Sequence, residues 1–221
     1  MKVKTGSKLA IFDTFKTKGE RLTGEAQRQR AIISILGEKT NPAERTRTAI
    51  SQNIAKGHGI SWKNLYSGIF RDLDEILIPL GIVEEDGRLP LKRGPKALQE
   101  KGIPYYHLTK RGILIALSIN EIKNRQVLLK RFFDQTDSKE KNYENIILEL
   151  AESSPNFIYS VFQKYAKAYC DNKIELMPFN LSKLKELEDE SLKVQKELLE
   201  AFIDLNKTQR ENAIKFLNTI S

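Results

Sequence analysis

Apolar residues recur at helical spacing over most of this chain, and the period breaks at only a few places. Ala31, Ile32, Ile35 and Leu36 make one face of a first helix over about 25–37, stopped by Gly37. Asn41-Pro42-Ala43-Glu44 reads as a cap, a first-turn proline and a capping-box partner for a second helix through Ile50 and Ile54. That helix ends at Gly57-His58-Gly59. A third runs over about 61–78, with Leu65, Ile69, Leu73, Ile76 and Leu80 at three- and four-residue spacing as its core face.

The pattern then changes. Ile82 and Val83 begin a strand, and Asp86-Gly87 predicts a tight turn back through Leu89 to Leu91. Pro90, Gly94, Pro95 and Gly102 keep regular structure out of a loop over 86–104. Tyr105 to Leu108 reads as the returning strand, and Thr109 as the cap of a fourth helix over about 110–133. Within that helix, Ser118 to Glu121 predicts a break, and Val127, Leu128, Phe132 and Phe133 supply the apolar side beyond it.

Residues 134–141 are polar and mark a boundary. Beyond them the periodicity is helical throughout, over about 143–152, 154–171 and from about 181 onward. Leu184, Leu187, Val194, Leu198, Ala201 and Leu205, with Ser191 as an imperfect member, fit a heptad seam. The seam predicts a homodimer through these C-terminal helices, although an intrachain bundle produces the same pattern. Thr208 to Glu211 reads as the cap of a final helix. The division expected is a basic N-terminal arm over 1–22, mostly disordered apart from a short ordered piece at Leu9 to Phe12, a domain over 23–136 and a helical extension over 137–221.

Charge separates the same regions. Residues 1–136 hold 25 Lys and Arg against 14 Asp and Glu, an excess of +11; residues 137–221 hold 12 against 15, or −3. A basic face attracts phosphate through counterion release. Catalytic chemistry finds little support: the two histidines, His58 and His107, sit in no nucleophile or metal motif. The lone Cys170 leaves no intrachain disulfide, which fits a reducing cytoplasm. No apolar run reaches membrane-spanning length. The expectation is a non-enzyme with no cofactor, no metal and no membrane partner.

Binding chemistry is better placed. Opposite its apolar stripe, the third helix carries Lys63, Asn64, Ser67, Arg71 and Asp74; with Ser61 at its start, its Lys, Asn, Ser and Arg are the residue types that read bases in a major groove. Trp62 and Tyr66 flank this face. Asp72, Asp74 and Glu75 oppose phosphate, so only the N-terminal half suits DNA. Arg88, Lys92, Arg93, Lys96 and Lys101 line the long loop, where they can follow a backbone or minor groove.

Ile60-Ser61-Trp62-Lys63-Asn64-Leu65, then Leu80-Gly81-Ile82-Val83-Glu84, then Tyr106-His107-Leu108-Thr109-Lys110-Arg111-Gly112, resembles the winged helix-turn-helix regulators over about residues 25–133. Those proteins share a leucine-glycine-leucine/isoleucine-valine step into the first wing strand and a Tyr-x-Leu-Thr-x-x-Gly exit from the second. The resemblance implies a mainly α fold, a winged helix with a small β-wing followed by a helical extension. It implies that helix 61–78 reads double-stranded DNA and that 86–104 is the wing. Transcriptional regulation is the simplest such role; a protein-interaction module and a non-specific DNA-binding accessory are the rivals.

Overall fold

The computed structural model describes residues 8–16, 20–58, 62–90, 102–135, 143–187 and 189–220, with the side chains of 57, 58, 62–64 and 220 outside that description. The protein is mainly helical with a small two-stranded antiparallel sheet. Its contacts divide it into a unit over 1–180 and a second over 181–221. That division lies later than the 136 suggested by composition.

The first unit starts before any helix. Leu9, Ala10 and Ile11 are buried, so the arm expected over 1–22 is ordered there. Two buried side chains hold it: the Ala10 amide donates to Gln29 Oε1 at 2.8 Å, and Arg30 Nη1 donates to the Ile11 carbonyl at 3.3 Å. Both residues project from α1 (Gly24–Glu38), which Thr23 caps by accepting from the Ala26 amide. Ile32, Ile33 and Leu36 are the large apolar residues α1 buries. Ala31 and Ile35, expected in the core, instead line an open cleft of ≈ 340 Å³ with Ile54 and Glu121.

A 3-10 turn over Pro42–Arg45, capped by Asn41, leads into α2 (Arg47–His58). α3 (Trp62–Arg71) packs on α2 and runs directly into a π-helical segment, Asp72–Leu77. The Ile78 amide reaches back five residues to the Leu73 carbonyl at 2.9 Å, as does Ile82 to Leu77. The wider turn moves the buried stripe to Ile69, Leu73 and Leu77, where regular periodicity places Ile76 and Leu80.

β1 (Val83–Leu89) pairs with β2 (Ile103–Leu108) from Val83↔Leu108 to Leu89↔Ile103, with a bulge between Glu85 and Gly87. Asp86-Gly87 is therefore inside a strand and not at a turn. Arg45 holds the Asp86 carboxylate at 2.8 Å, and a β-carbon on Gly87 would stand 2.7 Å from Tyr105 Oη. Glycine lets the end of the Tyr105 side chain lie against the strand there, which a dipeptide turn signal does not distinguish. The strands' connection begins only after Leu89 and ends before Ile103.

α4 (Lys110–Leu117) and α5 (Arg125–Asp134) replace the single helix expected over 110–133. The break falls where Ser118 to Glu121 predicted it. Ser118 closes α4, its Oγ donating to the Ile115 carbonyl at 2.6 Å, and Glu121 turns away to Arg30. Val127, expected on the apolar side of α5, is exposed. α6 (Glu144–Ser153) packs on α5, and α7 (Pro155–Cys170) packs on α4. Phe132, Phe162, Tyr165 and Phe179 meet with ring centroids 5.2–5.9 Å apart around Phe179, which joins the later helices to the earlier ones.

The second unit holds a 3-10 segment (Leu181–Leu187), α8 (Glu190–Asp204) and α9 (Lys207–Ile220). Asp189 caps α8 by accepting from the Leu192 amide, so the helix expected from 181 is split. Asn206 and Gln209 form a reciprocal capping pair at 3.0 Å each, and thus Asn206, not Thr208, starts α9. No helix among the described residues is long and apolar enough to cross a membrane.

Candidate nucleic-acid interface

The predicted reading helix is held to the body by arginines from α1 and α2. Asp72 is fully buried, and its Oδ2 accepts from Arg28 Nε at 2.8 Å. Arg28 reaches it by crossing the backbone of α3 at Gly68, where an added β-carbon would lie 2.9 Å from that Nε. Two residues later, Asp74 is ion-paired with Arg47. The Arg47 guanidinium also lies over the rings of Phe70, 4.6 Å from the centroid, and Tyr106, at 5.3 Å. A planar, delocalised cation suits that slot between α2, α3 and β2 because it pairs and stacks at once.

This arrangement fixes which way α3 faces. Ile69 is buried, while Ser67 and Arg71, four residues apart, are exposed on one side. Lys63 and Asn64 stand on the first turn of α3, and the i, i+4, i+8 spacing aligns Lys63 with Ser67 and Arg71; their side chains lie outside the described residues. Ser61 is itself outside them. The Arg71 guanidinium leans toward two of the protein's own acids, 3.9 Å from Asp72 Oδ1 and 4.0 Å from Glu25 Oε2. Asp72 Oδ1 has no hydrogen-bond partner.

The sheet carries a different charge. Glu84, Glu85 and Asp86 follow one another along β1. Arg88 is exposed on the same strand and donates from Nε to Glu85 at 2.6 Å, so it contacts a phosphate only by exchanging that partner. His107 on β2 sits between two carboxylates, Nε2 at 3.0 Å from Glu84 and Nδ1 at 3.5 Å from Asp86. Lys92, Arg93, Lys96 and Lys101 lie outside the described residues. Of the ten predicted binding residues, the structure brings Ser67 and Arg71 together on α3, and sets Arg88 apart on β1.

One stripe escaped the sequence reading. Thr48, Gln52 and Lys56 are all exposed on α2 at i, i+4, i+8 spacing, on the helix that packs against α3. Their regular spacing is visible in the chain, but with only one charge among them it carries little signal.

The motif quoted above becomes one physical joint. Thr109 Oγ1 donates to the Gly81 carbonyl at 2.6 Å and accepts from the Gly112 amide at 3.1 Å, capping α4 while tying it to the turn before β1. The Thr109 amide bonds the Ile82 carbonyl at 3.1 Å. Gly81 has φ +66°, a left-handed conformation that glycine adopts without strain. Leu-Gly-Ile-Val and Tyr-x-Leu-Thr-x-x-Gly thus meet at the base of the sheet. Among the described residues, no group of three or more His, Cys, Asp or Glu is placed to hold a metal ion. No protein family matches this chain, and neither does any curated protein or solved structure.

Proposed function

We propose that this protein binds duplex DNA as a winged helix, with α3 entering the major groove by its N-terminal half and the basic connection between β1 and β2 lying on the backbone or minor groove. Transcriptional regulation is the simplest role for it. The observation that carries the reading is the orientation of α3. Two of the three acids that follow α3 in the π-helical segment, Asp72 and Asp74, are engaged by Arg28 and Arg47, whereas Ser67 and Arg71 are exposed at the spacing that continues from Lys63. Pairing most of these anions on the scaffold leaves the N-terminal half of the helix a surface compatible with phosphate. The order α1–α2–α3–β1–β2 and the Thr109 joint support the same reading.

Anisotropy titration of the full chain against random-sequence duplex, over a series of salt concentrations, tests it. Affinity should fall steeply with salt. Absence of binding at low salt sinks the proposal. Selection from a random-duplex pool then separates a sequence reader from a non-specific accessory. Arg71→Ala should change base preference, and Lys92→Ala with Arg93→Ala should weaken all sequences alike. If Arg71→Ala alters neither affinity nor preference, α3 is not the reading element.

One observation favours a protein partner instead. The acidic run Glu84-Glu85-Asp86 on β1 repels phosphate along the base of the sheet. On that reading the chain shows no salt-dependent duplex affinity, and charge reversal at Glu84 and Glu85 does not create one.

A further inference from the structure

α8 and α9 are amphipathic helices with nothing buried on them among the described side chains. No residue of α8 is buried, nor is any residue of α9 through Thr219; within this unit Leu184, before α8, is the buried apolar residue. Val194, Leu198, Leu199, Ile203, Ile214 and Phe216 are 47–63% exposed. Scattered apolar residues on a surface are ordinary, but six large ones on two consecutive helices are not.

Their angular spread says what they fit. On α8, with 3.6 residues per turn, the apolar positions from Ala201 round to Ile203 cover an arc of roughly 200°. The charged residues Glu190, Lys193, Lys196, Glu197, Glu200 and Asp204 gather on the remainder. Contact with one neighbouring helix needs an apolar stripe of about 100°. An arc twice that width suits a helix packed between two neighbours, as in a four-helix bundle. α9 repeats the pattern in part: Ala213, Ile214, Phe216 and Leu217 lie on one side and Lys207, Glu211 and Lys215 on the other, with Arg210 interrupting the apolar side, its guanidinium 5.7 Å from the centroid of the Phe202 ring of α8.

The charge of this unit narrows the partner. Residues 181–221 hold 7 Lys and Arg against 8 Asp and Glu, a net −1, so the chain's remaining +9 belongs to residues 1–180. A near-neutral surface has no attraction for polyanions or anionic lipid, whose binding helices are rich in Lys and Arg. A net −1 also offers little repulsion to a second copy of itself. The six side chains, about half exposed or more, would form the apolar centre of an interface that in a standard stable complex buries about 800 Å² per partner.

We propose that the α8–α9 faces of two copies of this chain pack on each other, making a homodimer with a four-helix core. The nucleic-acid reading is not needed for this. Sedimentation equilibrium of the full chain alone, at tens of micromolar, should give twice the 25.4 kDa chain mass. Leu198→Glu with Phe216→Glu should give the single-chain mass with helical circular dichroism retained, and Lys193→Glu on the charged arc should leave the dimer intact. If the glutamate pair loses helicity, Leu198→Ala with Phe216→Ala should still raise the dimer dissociation constant about tenfold or more. A wild-type chain at single mass overturns the proposal. So does a dimer that both apolar pairs leave unchanged. Flotation of the wild-type chain with phosphatidylserine vesicles, abolished by the glutamate pair, would assign the face to lipid and overturn it equally.

Discussion

Gly112 sits where the Ile82 carbonyl passes so close that a β-carbon would overlap its oxygen. Neither group can yield easily, since Ile82 is buried and its carbonyl receives the Thr109 amide. Gly112→Ala should therefore cost at least about 3 kcal/mol in urea unfolding, at the top of the range for overpacking. A cost under half of that would mean the joint relaxes freely. The importance of this glycine was legible from Tyr-x-Leu-Thr-x-x-Gly, but its reason was not, because the clash is with a residue thirty positions earlier. Glu121 shows the opposite case, a carboxylate whose partner no local pattern reveals. Burial pushes its pKa up, but the hydrogen bonds from Arg30 and its own backbone amide and the nearby Arg30 and Arg125 charges outweigh that, and hold it below its ordinary 4.5. A carboxylate depressed on folding contributes its stability above the unfolded pKa and loses it as pH falls through the folded one. Unfolding free energy should fall on acidification below about pH 4.5 more steeply in the wild type than in Glu121→Gln. Equal slopes would show that the pair does not contribute. Cys170 is buried, and desolvation pushes its thiol up to about 12. It should resist Ellman's reagent at pH 8 until the protein unfolds, and rapid native labelling would contradict that burial.

At the scale of elements, α3 and its π-helical continuation show what a hydrophobic pattern can and cannot carry. The helix was visible from Leu65, Ile69 and Leu73. The π segment was not, because one residue added to a turn leaves no mark in composition; it only shifts which later residues are buried. Leu77 replaces Ile76 as a result, and Asp72 enters the core beside Leu73. The same blindness makes Asp86-Gly87 a turn signal, where the structure has a strand with a tyrosine from the facing strand lying against the glycine. Ser67 and Arg71 were readable as outward-facing because regular spacing holds as far as Arg71. Asp72 stands in the sequence as one of three acids opposing phosphate, and only its contact with Arg28, 44 residues away in the chain, makes it internal. That contact carries a prediction. Removing one partner of a buried pair leaves the other charge with only the more distant, exposed Arg71 at 3.9 Å, so Arg28→Ala should destabilise by about 3 kcal/mol in equilibrium denaturation. Adding Asp72→Asn removes the stranded charge and should recover part of the loss. If Arg28→Ala is neutral, the π segment is not anchored through this pair.

Across the whole molecule the charge is divided by unit: +9 over residues 1–180 and −1 over 181–221. Four arginines of the first unit, Arg28, Arg30, Arg45 and Arg47, are paired with Asp72, Glu121, Asp86 and Asp74, which cancels equal numbers of each sign and leaves the excess untouched. The excess must therefore be expressed by other residues, among them Lys56 on the outward stripe of α2. If phosphate binding is the purpose of that excess, its thermodynamic signature is local. Each cation that neutralises a phosphate adds close to one to the slope of log affinity against log salt. Lys56→Ala should then weaken duplex binding on every sequence and reduce the slope by about one. Lys193→Ala removes the same charge from α8 and should leave the slope unchanged, because nothing in that unit draws it toward a polyanion. Equal effects of the two substitutions would mean that net charge alone drives binding. In that case the orientation of α3, and the arginines that set it, would serve stability and not recognition.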